Sequence, residues 1–382
     1  MGRMKKKHWI LLLFVLGGCT DKYVANVKVP VAGYLVVEGF INLNGTTNIT
    51  MSRASGLDSP LFIPEPGAQL EIQSTSGFNY PLSDAGGGNY SVAGLNLDPT
   101  QQYRLHIKTY NGKDYLSDIT KTNITPPIDT LNWTANSDGV TIYVTTHNNA
   151  VQPGYYQWTF SETWQYTSRY FSSEKYDNGN GFLYLRADSD YIYNCWRSDS
   201  SKVIVIANTE KLSSNLIYQF PVTMVPYNNT DKMSDEYSIL VKQTSLSSDW
   251  YEWVQKVQRN TEQLGSIFDA QPSEIGGNIH NTADPTETVI GFIGTTTETE
   301  KRLFINKIQL PPVVVYTGDD ACKLDTTALN SQDITFKFQQ GIYLPVAYIY
   351  NMGFPSGITS SIPDCVDCRT KGGTLIKPDF WQ

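Results

Sequence analysis

Five cysteines are the residues best equipped for covalent chemistry in this chain, and their spacing sets one apart from the other four. Cys19 ends the run Leu16-Gly17-Gly18-Cys19, behind the cations Arg3, Lys5, Lys6 and Lys7 and an apolar stretch from Trp9 to Leu16. Positive charge, an apolar run and small residues, in that order, make a secretory signal peptide. The small-small-Cys ending resembles the bacterial lipobox, which marks the thiol for acylation. Residues 1–18 are therefore expected to be removed, leaving a lipidated Cys19 and a tether over 19–32. The apolar run falls well short of the roughly 20 residues that a spanning helix needs, and no later run reaches that length. Attachment to a membrane is thus expected through acyl chains, which anchor by burying about 0.8 kcal/mol per methylene.

Beyond the signal, Cys195, Cys322, Cys365 and Cys368 form an even set in an exported chain, and two disulfides in one of three connectivities are expected. Cys365-Val366-Asp367-Cys368 has the spacing of a redox pair, but Ser361 to Asp364 and Arg369 to Gly373 read as loop. A redox thiol needs a helix N-terminus to lower its pKa. Zinc would need a second close pair, and Cys195 and Cys322 stand alone.

Catalytic groups are scarce. The mature chain holds only His106, His147 and His280, none at metal-ligand spacing. No G-x-S-x-G elbow or phosphate-binding loop is present, and Gly276-Gly277-Asn278 is too short to cradle a phosphate. His106 alternates with Arg104 and Lys108 opposite Tyr103, Leu105 and Ile107, which predicts a solvent-facing side chain. No catalytic residue, metal or cofactor is assigned, and the chain is not expected to be an enzyme. A glycan hydrolase would need two carboxylates in one cleft, Glu162 among them.

The most distinctive non-cysteine pattern is Tyr156, Trp158, Phe160, Glu162, Trp164 and Tyr166, which period two places on one strand face. Two readings stay open. Trp158, Glu162 and Trp164 form a stacking platform for a glycan or another flat ligand. Alternatively the row is core and Glu162 is a buried carboxylate that must be paired, with Arg186, Arg197 and Arg302 as candidate partners. Asp177-Asn178-Gly179-Asn180-Gly181 has the oxygen-rich look of a calcium loop but lacks a closing acidic residue, so a turn is expected.

These groups need a scaffold, and the composition says which. With 24 Tyr, 8 Trp and 29 Gly among 382 residues and only 17% charged residues, it favours strands and turns. The net charge of −8 includes the four cations of the removed segment and no acid from it, so the mature chain carries −12. Nucleic acid is therefore not an expected partner. Alternating runs at Tyr34–Ile41, Thr47–Arg53, Ala68–Thr75, Asn89–Leu95, Tyr103–Tyr110 and Asp114–Ile124 predict a β-sandwich over 33–125, with a hairpin turn at Asn111-Gly112. Thr125-Pro126-Pro127 cannot continue a central strand, so a boundary belongs there. Residues 126–382 are expected to form a second, larger β-rich domain, with strands at Val140–Thr146, Tyr155–Tyr166, Val203–Asn208, Leu216–Val225, Tyr237–Thr244, Thr288–Ile293 and Arg302–Leu310. One amphipathic helix over 248–264 presents Trp250, Trp253, Val254, Val257 and Leu264 on one face, starting at Ser248 or Asp249 and ending at Gly265.

Over nearly its full length the chain resembles a Bacteroidota family known as domain of unknown function 4249. The matching stretches include Leu35 to Gly39, Pro66 to Ala68, Gly88 to Tyr90, Tyr110 to Ser117, Glu162 to Trp164, Cys195-Trp196, Tyr237 to Gln243, Gly265 to Pro272 and Pro378 to Trp381. Pro66 to Ala68 followed by Gly88 to Tyr90 is also similar to carboxypeptidase-regulatory and transthyretin-like sandwiches, so the first unit is expected to be an Ig-like or transthyretin-like β-sandwich. The resemblance implies an outer-membrane lipoprotein that assists a TonB-dependent transporter by capturing ligand, a glycan or a peptide, or by covering its mouth. It assigns no catalytic residues. The alternative is a structural or adhesive envelope lipoprotein without a transport role. Asp21 is the sole acid near Cys19, where surface-exported relatives carry several; both facings stay open, the cell surface slightly ahead of the periplasm. Asp129-Thr130-Leu131 and Asp325-Thr326-Thr327 look like that phylum's O-glycosylation sequon, which makes Thr130 and Thr326 candidate acceptors.

Overall fold

The computed structural model describes residues 33–55, 62–228, 230–262, 275–312 and 319–381. Cys19, Leu264 and Gly265 lie outside them, as do the signal peptide and tether. The protein is mainly β, with few helices.

The first unit is a sandwich. Along Tyr103–Lys108 the residues Tyr103, Leu105 and Ile107 are buried while Arg104, His106 and Lys108 face outward, the alternation a half-buried strand requires. This strand joins Asp114–Ser117 through the Asn111-Gly112 turn, where Gly112 adopts φ +84°. Strand Asn79–Gly86 links the two layers: its first half pairs with Gln69–Ser74 and its second with Asn89–Val92.

The unit does not end at residue 125. Ile279–Asn281 pairs with Asp114–Ser117, Val289–Ile290 runs parallel to Leu35–Gly39, and Thr295–Thr296 lies between Ile41–Asn42 and Thr122–Asn123. The expected division at 125 is corrected accordingly: the chain leaves the first sandwich and later returns to complete it. Glu287 pins the return by accepting hydrogen bonds from Tyr115 and Lys113, at 2.9 and 2.8 Å. Burial, with Glu287 beside it, pushes the Tyr115 hydroxyl up to about 12.

The second unit packs Ile128–Ala135, Gly139–His147 and Leu216–Pro226 against a sheet centred on Tyr155–Thr167 and Glu236–Ser245. Glu298–Asn306 is an edge strand of that sheet and gives way to a 3₁₀ turn at Lys307–Gln309, earlier than the expected strand end at 310. A further module follows: strands Asp325–Ala328, Leu344–Asn351 and Phe354–Ser361, with the hairpin Glu174–Asp177 and Phe182–Leu185 beside them. Two helices join the expected one, Ser331–Phe338 and a single turn at Pro363–Val366. The segment around Cys365 and Cys368, expected as loop, is thus helical turn.

His106 is half-buried, not simply solvent-facing. Its ring nitrogens lie 3.0 Å from Glu71 and 2.6 Å from Asp114. Burial disfavours its charge, yet the two carboxylates outweigh that and hold its pKa above the ordinary 6.5. A raised histidine pKa contributes stability that is full below the unfolded value and is lost as pH rises through the folded one. The urea midpoint of the wild type should therefore fall relative to His106→Gln as pH climbs above 6.5, by an amount equivalent to about 1 kcal/mol at most. A constant gap from pH 6 to 8.5 would contradict this coupling.

Candidate functional site

The aromatic row is core. Trp158 is 0% exposed, Glu162 5% and Trp164 3%, so none of the three forms an open platform. The Trp158 indole donates to Gln243 Oε1 at 2.8 Å and its ring stacks on Phe220. Glu162 accepts from Tyr237 Oη at 2.6 Å and from Lys232 Nζ at 2.5 Å. None of the three expected arginines is its partner. Arg197 lies over the Trp164 ring, Arg302 over Phe380, and Arg186 donates to Ser172. Sequence could not rank a lysine 70 residues away. Burial, reinforced by the Glu162 charge, drives the Tyr237 hydroxyl well above its ordinary value. Glu162→Leu should cost about 2–3 kcal/mol in urea unfolding by stranding the tyrosine hydroxyl and the ammonium. A change under 0.5 kcal/mol would show that both groups find other partners.

The opposite face of the same strand is the open one. Gln157 and Thr159 project away from the core and floor a cavity of about 300 Å³. Helix Ser248–Glu262 forms one wall: Ser247 Oγ accepts from the Trp250 amide at its start, a turn position earlier than Ser248 or Asp249. Trp250 and Val254 are buried beneath the helix, whereas Trp253 and Val257 are half-buried at the cavity. The expected helix face is therefore both packing surface and site wall. Tyr251, not on that face, is buried as well, against Tyr155.

The first sandwich supplies the other wall, through Glu38 and Phe40 at a strand end and Phe292 from the returning segment. Trp250 and Phe292 lie nearly parallel, 5° between planes with centroids 6.2 Å apart, and Phe40 and Trp253 flank them. Gly294 makes this seat possible, because a Cβ there would come within 2.2 Å of the Trp250 ring. The joint between the units is thus an aromatic recess with polar groups at its edge, the usual make-up of a small-molecule site.

The cysteines pair as Cys195–Cys368 and Cys322–Cys365, one of the three connectivities, so the close pair does not bond to itself. Thr130 and Thr326 are exposed on strands. Asp177 to Gly181 forms a hairpin turn in which Asp177 accepts from the Gly179 amide at 2.8 Å. Among the described residues no group of three His, Cys, Asp or Glu side chains converges as a metal site would require. No helix among them is long and apolar enough to cross a membrane.

Fold and cavity define a tandem β-sandwich protein with an aromatic recess at the joint. The chain belongs to the family described as Domain of unknown function (DUF4249), which matches residues 20–302 and so takes in every cavity-lining residue. No curated protein matches it. Among solved structures it is similar to trypsin-activated α2-macroglobulin from Escherichia coli at 11% identity and a TM-score of 0.19, covering 57% of this chain and 15% of that one. It is also similar to the chicken CNTN1 FN1–FN3 domains at 11% and 0.16, covering 56% and 63%. A DUF3823 family protein from Parabacteroides merdae matches at 10% and 0.12, covering 53% and 92%. These scores are too low to bear on fold or function, and the chain spans under two thirds of the first two structures.

Proposed function

We propose that the chain is an outer-membrane lipoprotein of Bacteroidota, anchored through Cys19, that captures a small ligand in its aromatic recess and presents it to a TonB-dependent transporter. The observation that carries the reading is the recess itself: half-buried rings from two units around a solvent-reachable space of ligand size. The lipobox-like ending at Cys19 supports the anchor, and the family's resemblance to transporter-linked lipoproteins supports the partner. Capture for import makes sense on the cell-surface face, where external ligand is met first.

Co-purification from outer membranes in mild detergent tests the partnership. A TonB-dependent transporter is expected to elute with the protein, and its repeated absence would contradict the reading. A deletion strain with normal uptake and altered attachment would instead favour a structural or adhesive role.

A further inference from the structure

We infer that the recess selects an organic cation, an amine or quaternary ammonium carrying an apolar body. This rests on the capture reading and specifies its ligand class. Cations are attracted to the faces of Trp and Phe rings within about 6 Å, and most strongly where water is thinned out. Four rings, those of Phe40, Trp250, Trp253 and Phe292, line this space with neighbouring centroids 6.1–6.2 Å apart.

The charges at the rim have the matching sign. Glu38 and Glu298 both border the space, and among the described residues no lysine, arginine or histidine does. Glu298 is already paired with Lys242, whose Nζ lies 2.8 Å from it and 3.9 Å from Glu300, which leaves Glu38 as the uncompensated charge at the rim. The exposed Glu38 carboxylate has no ion-pair or hydrogen-bond partner among the described residues. An anionic ligand would meet Glu38 with no compensating charge, and the mature chain's −12 would repel it from a distance. A sugar needs many paired donors and acceptors, and the neutral polar side chains here are Gln157, Thr159 and Thr244, beside four rings.

Three probes of one shape separate charge from shape: benzyltrimethylammonium, benzyl alcohol and benzoate, each titrated into the full mature protein in mild detergent and followed by tryptophan fluorescence and calorimetry. Benzyltrimethylammonium should bind about tenfold more tightly than benzyl alcohol, and benzoate more weakly than either. Glu38→Gln should shrink the cation-to-alcohol ratio to about twofold, while Trp253→Leu should weaken both ligands. Equal affinities for cation and alcohol, or a ratio unmoved by Glu38→Gln, would overturn the cation assignment and leave capture standing. No binding by any probe would overturn the assignment and count against the recess as a capture site.

Discussion

Replacing Cys195 and Cys368 together by alanine is expected to lower the melting temperature by roughly 10 °C, from a loss of about 3–5 kcal/mol. This bridge closes a loop with a sequence separation of 173, against 43 for Cys322–Cys365. A longer loop restricts the unfolded chain more, so the Cys322/Cys365 double variant should lose less. Location points the same way. Cys368 is fully buried, its carbonyl accepts from Tyr166 Oη at 2.7 Å, and its amide donates to Ile192. The bridge therefore holds the C-terminal segment against the strand Asn194–Ser200, where Trp196 and Thr374 exchange backbone hydrogen bonds at 2.9 Å. Calorimetry of the two double variants beside the wild type checks the order. Equal losses, or a larger one for Cys322/Cys365, would mean that native-state strain outweighs loop length.

Cys19→Ala, exported behind an ordinary cleavable signal in place of residues 1–18, is expected to move the protein almost wholly from the membrane fraction to the soluble one. A single acyl chain gives only marginal, reversible binding, whereas several chains on one residue add at about 0.8 kcal/mol per buried methylene. The described residues offer little to replace them: no helix among them can span a bilayer, and the net charge, −8 for the full sequence and −12 without residues 1–18, opposes an anionic surface. Fractionation with detergent phase separation reads the result directly. A variant that stays with the membrane at more than half the wild-type level would mean that the body, not the lipid, carries the attachment.

How much of this was legible in the sequence differs by element. The alternation in Tyr103–Lys108 and Asp114–Ser117 depends on neighbours in sequence, and their hairpin followed from Asn111-Gly112. The return of 279–296 to the first sandwich depends on pairing partners more than 150 residues away, such as Thr122 with Thr295, and no local pattern announces it. Strands Leu344–Asn351 and Phe354–Ser361 were missed for another reason, since prolines, glycine and serines interrupt the alternation and bulges break its register, while Asp325–Ala328 is only four residues long. The helix Ser331–Phe338 did carry a signal, since Asn330 accepts from the Asp333 amide as an N-cap, but eight residues are too few for a clear period.

The site shows the same division between local and distant information. The row Trp158, Glu162 and Trp164 was visible, but period two identifies a face without saying which way it points. The burial of that row, with Gln157 and Thr159 on the opposite face, settles which of the two readings holds. The helix face of Trp250, Trp253, Val254 and Val257 was legible from its spacing, with Leu264 outside the described residues. That Phe40 and Phe292 would meet it from the first sandwich, turning a packing face into a recess, depended on the chain's return.

Native mass spectrometry of the protein extracted from its own envelope in mild detergent tests the capture claim most directly. The account predicts a non-covalent adduct of small-molecule mass that is lost on denaturation and strongly reduced in Trp253→Leu, with the melting temperature of that variant close to wild type. Protein recovered repeatedly without an adduct, or an adduct unaffected by Trp253→Leu, would contradict it.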